Sequence, residues 1–424
     1  MELVLLLLSL LILLAIRVPV AFALLISSMI TFAALGLNPL VAVQRLSAGI
    51  DVFTLMAIPF FIFAGDLMTQ TGIAARLIQV AEGLFGRVRG GLGHVNVGAS
   101  MMFGAVSGSA VASVSAIGST MIPIMEEKGY ERSFSVNLTC SAAVLGLIIP
   151  PSHNMIIYAA ASGISISIGN LFVAGILPGI LCGLALMAVV SILARKRDYP
   201  KGLFPGLRAL VLAAVGAIPG LLTAVIIVVG ILGGVFTPTE SSAVAIVYTL
   251  IIGVFFYRTL GMEQFMTAVV NSAKTTAMIM LIIGAAAAFG WLLALLEAPL
   301  MMSNLILGMT SSPVLILLLV LICLLVLGTF MDMAPLIIIV TPIFLPVVST
   351  IGVDPVHFGI IMMLALGIGT ITPPVGTVLF VGSAVGKIRM EDTVKTMWPF
   401  YLALITCLLL VTYIPQISLL LVGG

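Results

Sequence analysis

Long stretches of this chain carry apolar residues on every face of a helix. Residues 210–236, 314–327 and 402–414 are examples without a polar side. A helix needs roughly 20 apolar residues to cross a bilayer, and its backbone polar groups must be bonded within the segment. The pattern therefore predicts membrane-spanning α-helices. The period-two alternation typical of a membrane β-barrel strand does not occur in the sequence.

The apolar segments predict an all-α integral membrane protein with about ten transmembrane helices and two re-entrant helical hairpins. The helices are predicted over residues 2–16, 19–36, 52–80, 132–163, 170–194, 209–235, 238–257, 273–308, 355–386 and 396–422. Two other segments, 93–125 and 313–348, are each too long for one crossing and have a break rich in Gly, Ser or Pro near the centre. Each is expected to enter the membrane and return on the same side.

The positions of Lys and Arg predict how the helices are oriented. If the N-terminus lies outside, 16 of the 17 Lys and Arg residues fall in cytoplasmic loops and only Arg45 lies outside, as the positive-inside rule requires. Arg17 follows the first apolar stretch instead of preceding it, so this stretch is predicted to be a helix and not a signal peptide. The first hairpin then opens to the cytoplasm and the second to the outside.

The two halves of the chain repeat their Gly and Pro positions at a constant shift of 223 residues. The matched positions are Pro123 with Pro346, Gly129 with Gly352, Gly146 with Gly369, Ile148 with Ile371, Pro150 and Pro151 with Pro373 and Pro374, and Gly163 with Gly386. Gly and Pro mark backbone breaks, so the halves are predicted to break at the same places. Because the hairpins open to opposite sides, the repeats are inverted, which is typical of secondary transporters.

Composition and charge exclude several classes of protein. With 62% hydrophobic and 8% charged residues, the chain differs from soluble domains, in which about 25% of residues are charged. The net charge of +2 is spread singly along the chain, so no nucleic-acid partner is indicated. The four cysteines have neither metal-ligand nor disulfide spacing. No phosphate-binding loop and no organic-cofactor motif occurs, so ATP is not expected to drive this chain directly.

The two Pro-Pro pairs predict interrupted helices with free oxygen ligands. Pro150-Pro151 and Pro373-Pro374 remove backbone N–H groups where a membrane helix should continue. Freed carbonyls and nearby hydroxyls suit sodium, and the N-termini of the resumed helices suit an anion. Prolines that only kink a helix, and Ser or Thr bonded to their own helix, are the structural alternatives. The repeat favours a shared functional site.

Four polar residues receive individual interpretations. Asp332, in the second hairpin, lies opposite Ser109 of the first under the shift; it is expected to neutralise a cation or to organise the hairpin tip. His153 either contacts substrate, relays protons or packs. Asp66 is interpreted as an interfacial residue, and Glu240 as part of a helix cap.

Five strings in this order carry a family resemblance: Ser107-Gly-Ser-Ala110, Ile148-Ile-Pro-Pro-Ser152, Phe236-Thr-Pro-Thr-Glu-Ser241, Met331-Asp332 and Ile371-Thr-Pro-Pro-Val-Gly376. Together they resemble the large membrane (M, DctM-type) subunit of tripartite ATP-independent periplasmic (TRAP) transporters over essentially the whole chain. The resemblance implies a multi-pass protein of the bacterial inner membrane, surrounded by lipids, with an elevator-type mechanism driven by a sodium gradient. It also implies two partners, a small four-helix membrane Q subunit and a periplasmic substrate-binding P subunit.

The resemblance further implies two sodium sites and a substrate site between the Pro-Pro turns, with sodium as the cofactor. The sodium residues would be Ser107, Gly108, Ser109, Gly146, Pro150, Gly328, Met331, Asp332, Gly369 and Thr372. The substrate residues would be Ser109, Pro151, Ser152, His153, Asn154, Pro374, Gly376 and Thr377.

A division into scaffold and transport parts accompanies this prediction. Residues 1–92 would form scaffold helices and a first arm, 93–163 the first half of the transport domain, 164–312 scaffold helices and a second arm, 313–386 the second half of the transport domain, and 387–424 a C-terminal scaffold helix.

The expected substrate is a small organic anion: a C4-dicarboxylate, sialic acid, another carboxylate or a sulfonate. Several family members carry an apolar pair where this chain has His153-Asn154, which leaves the substrate open. Two other classes were weighed. An intramembrane enzyme would need paired carboxylates or a Ser/His pair, and a passive channel does not account for two hairpins of opposite orientation.

Overall fold

The computed structural model describes residues 1–16, 18–202, 206–310 and 312–422. Arg17, which entered the orientation prediction, lies outside the described residues. Within these ranges the chain forms helices and one isolated bridge between Arg89 and Lys201, with no β-strand. The all-α prediction is therefore confirmed for the described part of the chain.

The N-terminal region contains more helices than predicted. They are α1 (Glu2–Ala15), α2 (Val20–Ala34), α3 (Pro39–Ile50), α4 (Ala57–Gln70) and α5 (Ile73–Phe85). Helix α3 was not predicted; it begins where the side chain of Asn38 accepts a hydrogen bond from Leu40 N and Pro39 occupies the first turn. The predicted single helix over 52–80 is wrong, because Gly72 adopts a left-handed conformation (φ 69°) and separates α4 from α5.

The first hairpin and the first broken helix follow. The hairpin comprises α6 (Gly91–Ser107), then α7 (Ala110–Ser113) and α8 (Ser119–Glu127), which are joined by a π-helical turn over Val114–Gly118. The broken helix comprises α9 (Arg132–Ala143), α10 (Leu145–Ile148) and α11 (His153–Ala161). The direction changes by 52° between the parts before and after the break.

The middle of the chain holds α12 (Ile168–Lys196), α13 (Leu207–Leu232), α14 (Pro238–Ile251), α15 (Met262–Leu295) and α16 (Ala298–Met309). The predicted helix over 273–308 is wrong at both ends, since α15 begins at Met262 and stops before Glu297, whose φ is 54°. Thr237 and Glu240 form a reciprocal capping box at the start of α14, so the cap predicted for Glu240 is confirmed.

The second hairpin comprises α17 (Pro313–Gly328) and α18 (Met333–Thr350). The second broken helix comprises α19 (Pro355–Gly369) and α20 (Thr377–Val385), followed by α21 (Met390–Thr396), α22 (Trp398–Tyr413) and α23 (Gln416–Leu419). In the described residues, six helices are long and apolar enough to cross a membrane, or up to eight if each bent pair is one span. The number of ten crossings stays a prediction.

The hydrophobic core surrounds the hairpins and the broken helices. Its largest fully buried side chains include Tyr158 on α11, Phe103 on α6, Phe134 on α9 and Phe358 on α19. Helices α12 and α22, placed with the scaffold in the sequence-based division, pack against each other and against α9 and α19. Packing does not show which parts move, so the division into scaffold and transport parts stays a prediction.

The structure reproduces most of the 223-residue repeat. Pro123 and Pro346 both lie inside the second helix of a hairpin. Gly129 and Gly352 both follow that helix with left-handed backbone, at φ 84° and 79°. Gly163 has φ 68°, whereas Gly386 has φ −77° and the left-handed residue is Lys387. The two halves therefore share their breaks but end the repeat one residue apart.

Each hairpin packs on its own broken helix through a pair of glycines. A Cβ atom added to Gly104 would overlap the Cα atom of Gly146, and one added to Gly328 would lie 3.0 Å from the Cα atom of Gly369. The two backbones approach closely because neither glycine carries a side chain. The same contact occurs in both halves, and it fixes how far each hairpin tip reaches along the break.

We expect Gly104→Ala to lower the melting temperature of the purified protein by several degrees, because the added methyl group pushes α6 away from the first broken helix. Gly290→Ala is the matched control, since nothing lies within 4 Å of a Cβ atom at this helical position. A thermal melt in detergent measures both. Equal melting temperatures for the two variants would contradict the tight glycine contact.

Candidate transport site

The tip of the first hairpin turns through Ser107, Gly108 and Ser109. Gly108 has left-handed backbone (φ 61°) and ends α6. Ser109 then starts the second helix, and its side chain accepts a hydrogen bond from Ala112 N at 3.3 Å. The backbone N–H of Ser109 lies 3.4 Å from the hydroxyl oxygen of Ser107. The tip therefore gathers two hydroxyl groups and a helix N-terminus in one turn.

This tip lies directly against the first break. A Cβ atom on Gly108 would be 3.0 Å from the carbonyl oxygen of Pro151 and 3.6 Å from Nδ1 of His153. Ser152 is buried, and its hydroxyl oxygen has no hydrogen-bond partner within the described part of the chain. Pro150 and Pro151 cannot donate to the carbonyls of the preceding turn, which include that of Gly146. Oxygen atoms of the tip and of the break thus share a small volume.

The second hairpin tip is joined to the second break by backbone hydrogen bonds. The carbonyl oxygen of Thr329 accepts from Val375 N at 3.1 Å and from Gly376 N at 3.4 Å. Asp332 starts α18 at the position that Ser109 occupies in the first repeat. Its Oδ1 atom accepts a hydrogen bond of 3.3 Å from the hydroxyl of Thr377. The aligned residues therefore both start a helix, but Ser109 caps it with its side chain whereas the side chain of Asp332 bonds to Thr377 at the second break.

A cavity of about 490 Å³ lies where these elements meet. Its wall includes parts of both hairpin tips, of both broken helices, and of the two long helices α4 and α15. The polar residues of the wall are Asp66, Thr69, Gln70, Ser107, Ser109, Ser115, His153, Asn154, Asn271, Thr275, Asp332 and Thr370. This volume suits a small organic molecule.

The predicted site residues fall into two groups. Ser107, Ser109, His153, Asn154 and Asp332 line the cavity. The remaining predicted residues lie in the hairpin tips and the breaks but do not line it: Gly108, Gly146, Pro150, Pro151, Ser152, Gly328, Met331, Gly369, Thr372, Pro374, Gly376 and Thr377. Thr372 has its hydroxyl directed at the carbonyl oxygen of Ile368, 2.7 Å away.

One wall of the cavity was missed by the sequence analysis. Asp66, Thr69 and Gln70 come from α4, and Asn271 and Thr275 from the first half of α15. The structure places Asp66 in the cavity wall, and its interpretation as an interfacial residue stays a prediction. The signal was present in the sequence, since these polar residues recur at helical spacing of three to four residues in otherwise apolar helices.

The atoms around the cavity are suited to a hard cation and an organic anion. Hydroxyl, carboxylate and carbonyl oxygens are the ligands that such cations prefer. Within the described residues no group of three or more His, Cys, Asp or Glu side chains could hold a metal ion. An anion can be bound by the amide of Asn154, the imidazole of His153 and the hydroxyl of Ser109. These groups lie next to the N-terminus of α11.

We expect Gly108→Ala to lower transport strongly, because the new methyl group meets Pro151 and the residue must keep a left-handed backbone. Gly129→Ala carries a similar backbone strain, of about 1–2 kcal/mol, but has open space around its Cβ atom. Uptake by both variants, compared at equal amounts of folded protein, separates strain from the tip contact. Equal uptake would show that the tip does not need this close approach.

Comparison with known proteins shows which family the chain resembles. The sequence profile of the family described as "Tripartite ATP-independent periplasmic transporter, DctM component" matches residues 7–417. The isethionate TRAP transporter permease protein DctMQ of Oleidesulfovibrio alaskensis is 40% identical over 412 residues, which are 97% of this chain and 65% of that protein.

Two further relatives match this chain over most of the length of both proteins. The C4-dicarboxylate TRAP transporter large permease protein DctM of Pseudomonas aeruginosa is 40% identical, covering 87% of this chain and 86% of that protein. The sialic acid TRAP transporter large permease protein SiaM of Vibrio cholerae is 38% identical, covering 95% and 94%. The crystal structure of the Alcanivorax borkumensis YdaH transporter is similar in fold, with a TM-score of 0.59, 14% identity and coverage of 90% and 89%.

Proposed function

The chain belongs to the DctM component family of tripartite ATP-independent periplasmic transporters, and from this premise we propose that it carries a small organic anion across the inner membrane together with sodium ions. It is a transporter permease subunit and not an enzyme. The observation that carries the proposal is the cavity at which both hairpin tips and both broken helices meet. Inverted repeats with interrupted helices place a transport site at this kind of junction.

Sodium is proposed because each repeat offers hard oxygen atoms beside a break. In the first repeat these are the hydroxyls of Ser107 and Ser109 and the carbonyl of Gly146, which Pro150 cannot engage. In the second repeat they are the carbonyl of Gly328, the hydroxyl of Thr372 and the carboxylate of Asp332. A bound cation in each half would offset part of the cost of bringing an anion into a low-dielectric site.

The substrate is proposed to be an organic acid. Relatives that are 38–40% identical are named for isethionate, C4-dicarboxylates and sialic acid, all of which are organic anions. The anionic group would lie near His153, Asn154 and Ser109, where side-chain donors and a helix N-terminus are available. Bound between the repeats, it would touch parts of both.

An alternating-access, elevator-type movement is proposed from the two-sided cavity wall. The hairpins and breaks form one side, and α4 and α15 form the other. Gly65 on α4 lets the first hairpin tip approach, since a Cβ atom there would lie 3.0 Å from the carbonyl oxygen of Ser107. Sliding along this wall would carry the bound anion and cations together. A periplasmic binding protein is proposed to deliver the substrate, and a small membrane subunit to complete the permease, as the tripartite family name indicates.

The decisive experiment is uptake into liposomes that contain this chain and the small subunit, with the binding protein added on one side. We expect accumulation of the organic anion only when sodium is more concentrated on the side of the binding protein. Accumulation driven equally by a proton gradient in the absence of sodium would contradict the proposed coupling.

We expect Asp332→Asn to abolish most sodium-driven uptake while the complex still assembles, because Asn keeps the shape and the contact with Thr377 but loses the charge. Asp392→Asn is the control: this acidic residue is exposed and pairs only with Lys395 at 3.2 Å. Wild-type uptake and sodium dependence in Asp332→Asn would show that the carboxylate only organises the tip.

Removing one of the proposed hydroxyl ligands is expected to affect uptake less than removing the charge of Asp332. Ser109→Ala and Thr372→Val are expected to raise the sodium concentration needed for half-maximal uptake, because each removes one oxygen ligand beside a break. Titration of uptake with sodium measures this. An unchanged titration in both variants, at normal expression, would remove these hydroxyls from the sodium sites.

A further inference from the structure

Asp66 is an acidic residue of the cavity wall that the proposed transport cycle leaves unused. It lies on α4 and therefore belongs to neither a hairpin nor a break. Its Oδ2 atom is buried and has no hydrogen-bond partner within the described part of the chain. A buried carboxylate oxygen without a donor is costly unless a ligand supplies one. Because the Asp66 side chain also lines the cavity, its carboxylate has acceptor capacity left for a donor on a bound molecule.

The surroundings of Asp66 are polar but carry no positive charge. Thr69 and Gln70 follow it on α4, and Asn271 and Thr275 project from α15 into the same cavity. Neither Lys nor Arg occurs among the described residues that line the cavity. This wall can exchange hydrogen bonds with a hydroxylated or amino-substituted molecule, but it offers no cationic side chain to form an ion pair with a second carboxylate.

The charge balance of the cavity points the same way. Asp66 and Asp332 already contribute two carboxylates to the wall. A substrate with an anionic group at both ends would bring one of these groups against Asp66, where like charges repel in a site of low dielectric. A substrate with one anionic group avoids this when that group lies near His153 and Asn154.

We propose that Asp66 selects a monoanionic acid that carries a hydroxyl or ammonium donor at its other end, and that it rejects dianions. The inference rests on the proposed transport function and adds the substrate class and the residue that determines it. In the bound state the anionic group lies near His153 and Asn154, and the donor points to the carboxylate of Asp66. Asn271 and Thr275 complete the polar surface around that end.

Four acids of equal carbon number test the proposal: 4-hydroxybutyrate, 4-aminobutyrate, butyrate and succinate. They differ only at the fourth carbon. This carbon bears a hydroxyl, an ammonium or only hydrogen, and in succinate it is itself a second carboxylate. Binding is measured by calorimetry on the purified complex of this chain with the small subunit, in sodium buffer. We expect the hydroxyl or the ammonium acid to bind about tenfold or more tightly than both butyrate and succinate.

Asp66→Asn keeps the shape of the side chain and removes its charge. We expect the variant to lose most of the preference for the donor-bearing acid and to bind succinate more tightly than the wild type does. Asp51→Asn is the matched control, because this carboxylate is exposed and does not line the cavity; it should keep the wild-type ranking.

Three results would overturn the proposal. The first is succinate binding as tightly as the donor-bearing acids in the wild type, the second is no binding of any of the four acids at millimolar concentration, and the third is an Asp66→Asn variant that binds all four equally more weakly while it needs more sodium. The last result would assign Asp66 to an ion site. Repeating each titration with choline in place of sodium tests the sodium coupling separately. Binding that does not depend on sodium would contradict the coupling, but the ranking of the acids would still test the role of Asp66.

Discussion

The structure depends on one constraint, which is that backbone groups freed inside a membrane must find partners within the protein. Two helices are interrupted by consecutive prolines, and the turns that result cannot hydrogen-bond within a helix. At the second break the hairpin tip and a neighbouring helix supply partners. Thr329 accepts from the N–H groups of Val375 and Gly376, and the hydroxyl of Tyr401 on α22 donates to the carbonyl of Ile371 at 2.7 Å. The second break is thus stabilised by the elements packed against it.

That constraint explains why the hairpins and the breaks behave as packed units. The glycine pairs Gly104–Gly146 and Gly328–Gly369 bring the backbones close enough for the tips to reach the breaks. Helix α12 closes the first break from behind, where Gly175 makes room for the carbonyl of Ile148. A movement that kept these contacts would leave few polar backbone groups exposed to lipid, whereas one that separated a tip from its break would expose several. The proposed movement would therefore keep each hairpin together with its broken helix.

The sequence predicted the parts of the fold that backbone chemistry determines. Gly and Pro restrict the backbone wherever they occur, so Gly129 and Gly352 could be matched from their spacing alone. The capping box of Glu240 was equally local. Helix α3 and the start of α15 were missed because their amphipathic or polar turns resemble loops when only apolar length is considered. The α4–α5 division depended on one glycine, Gly72, in a run that is otherwise helical.

The difference between local backbone chemistry and tertiary packing also accounts for what could be predicted of the site. Ser109 and Asp332 were found because the repeat aligns them, and they do occupy equivalent helix starts. Asp66 and Asn271 have no counterpart under the repeat, and they meet only because α4 packs along α15. The proposed cation ligands at the repeated backbone breaks can thus be predicted from spacing, while the wall formed by α4 and α15 depends on tertiary packing. Substitutions in that unrepeated wall leave the bonding of the breaks intact, so the wall can change its chemistry without loss of the broken helices.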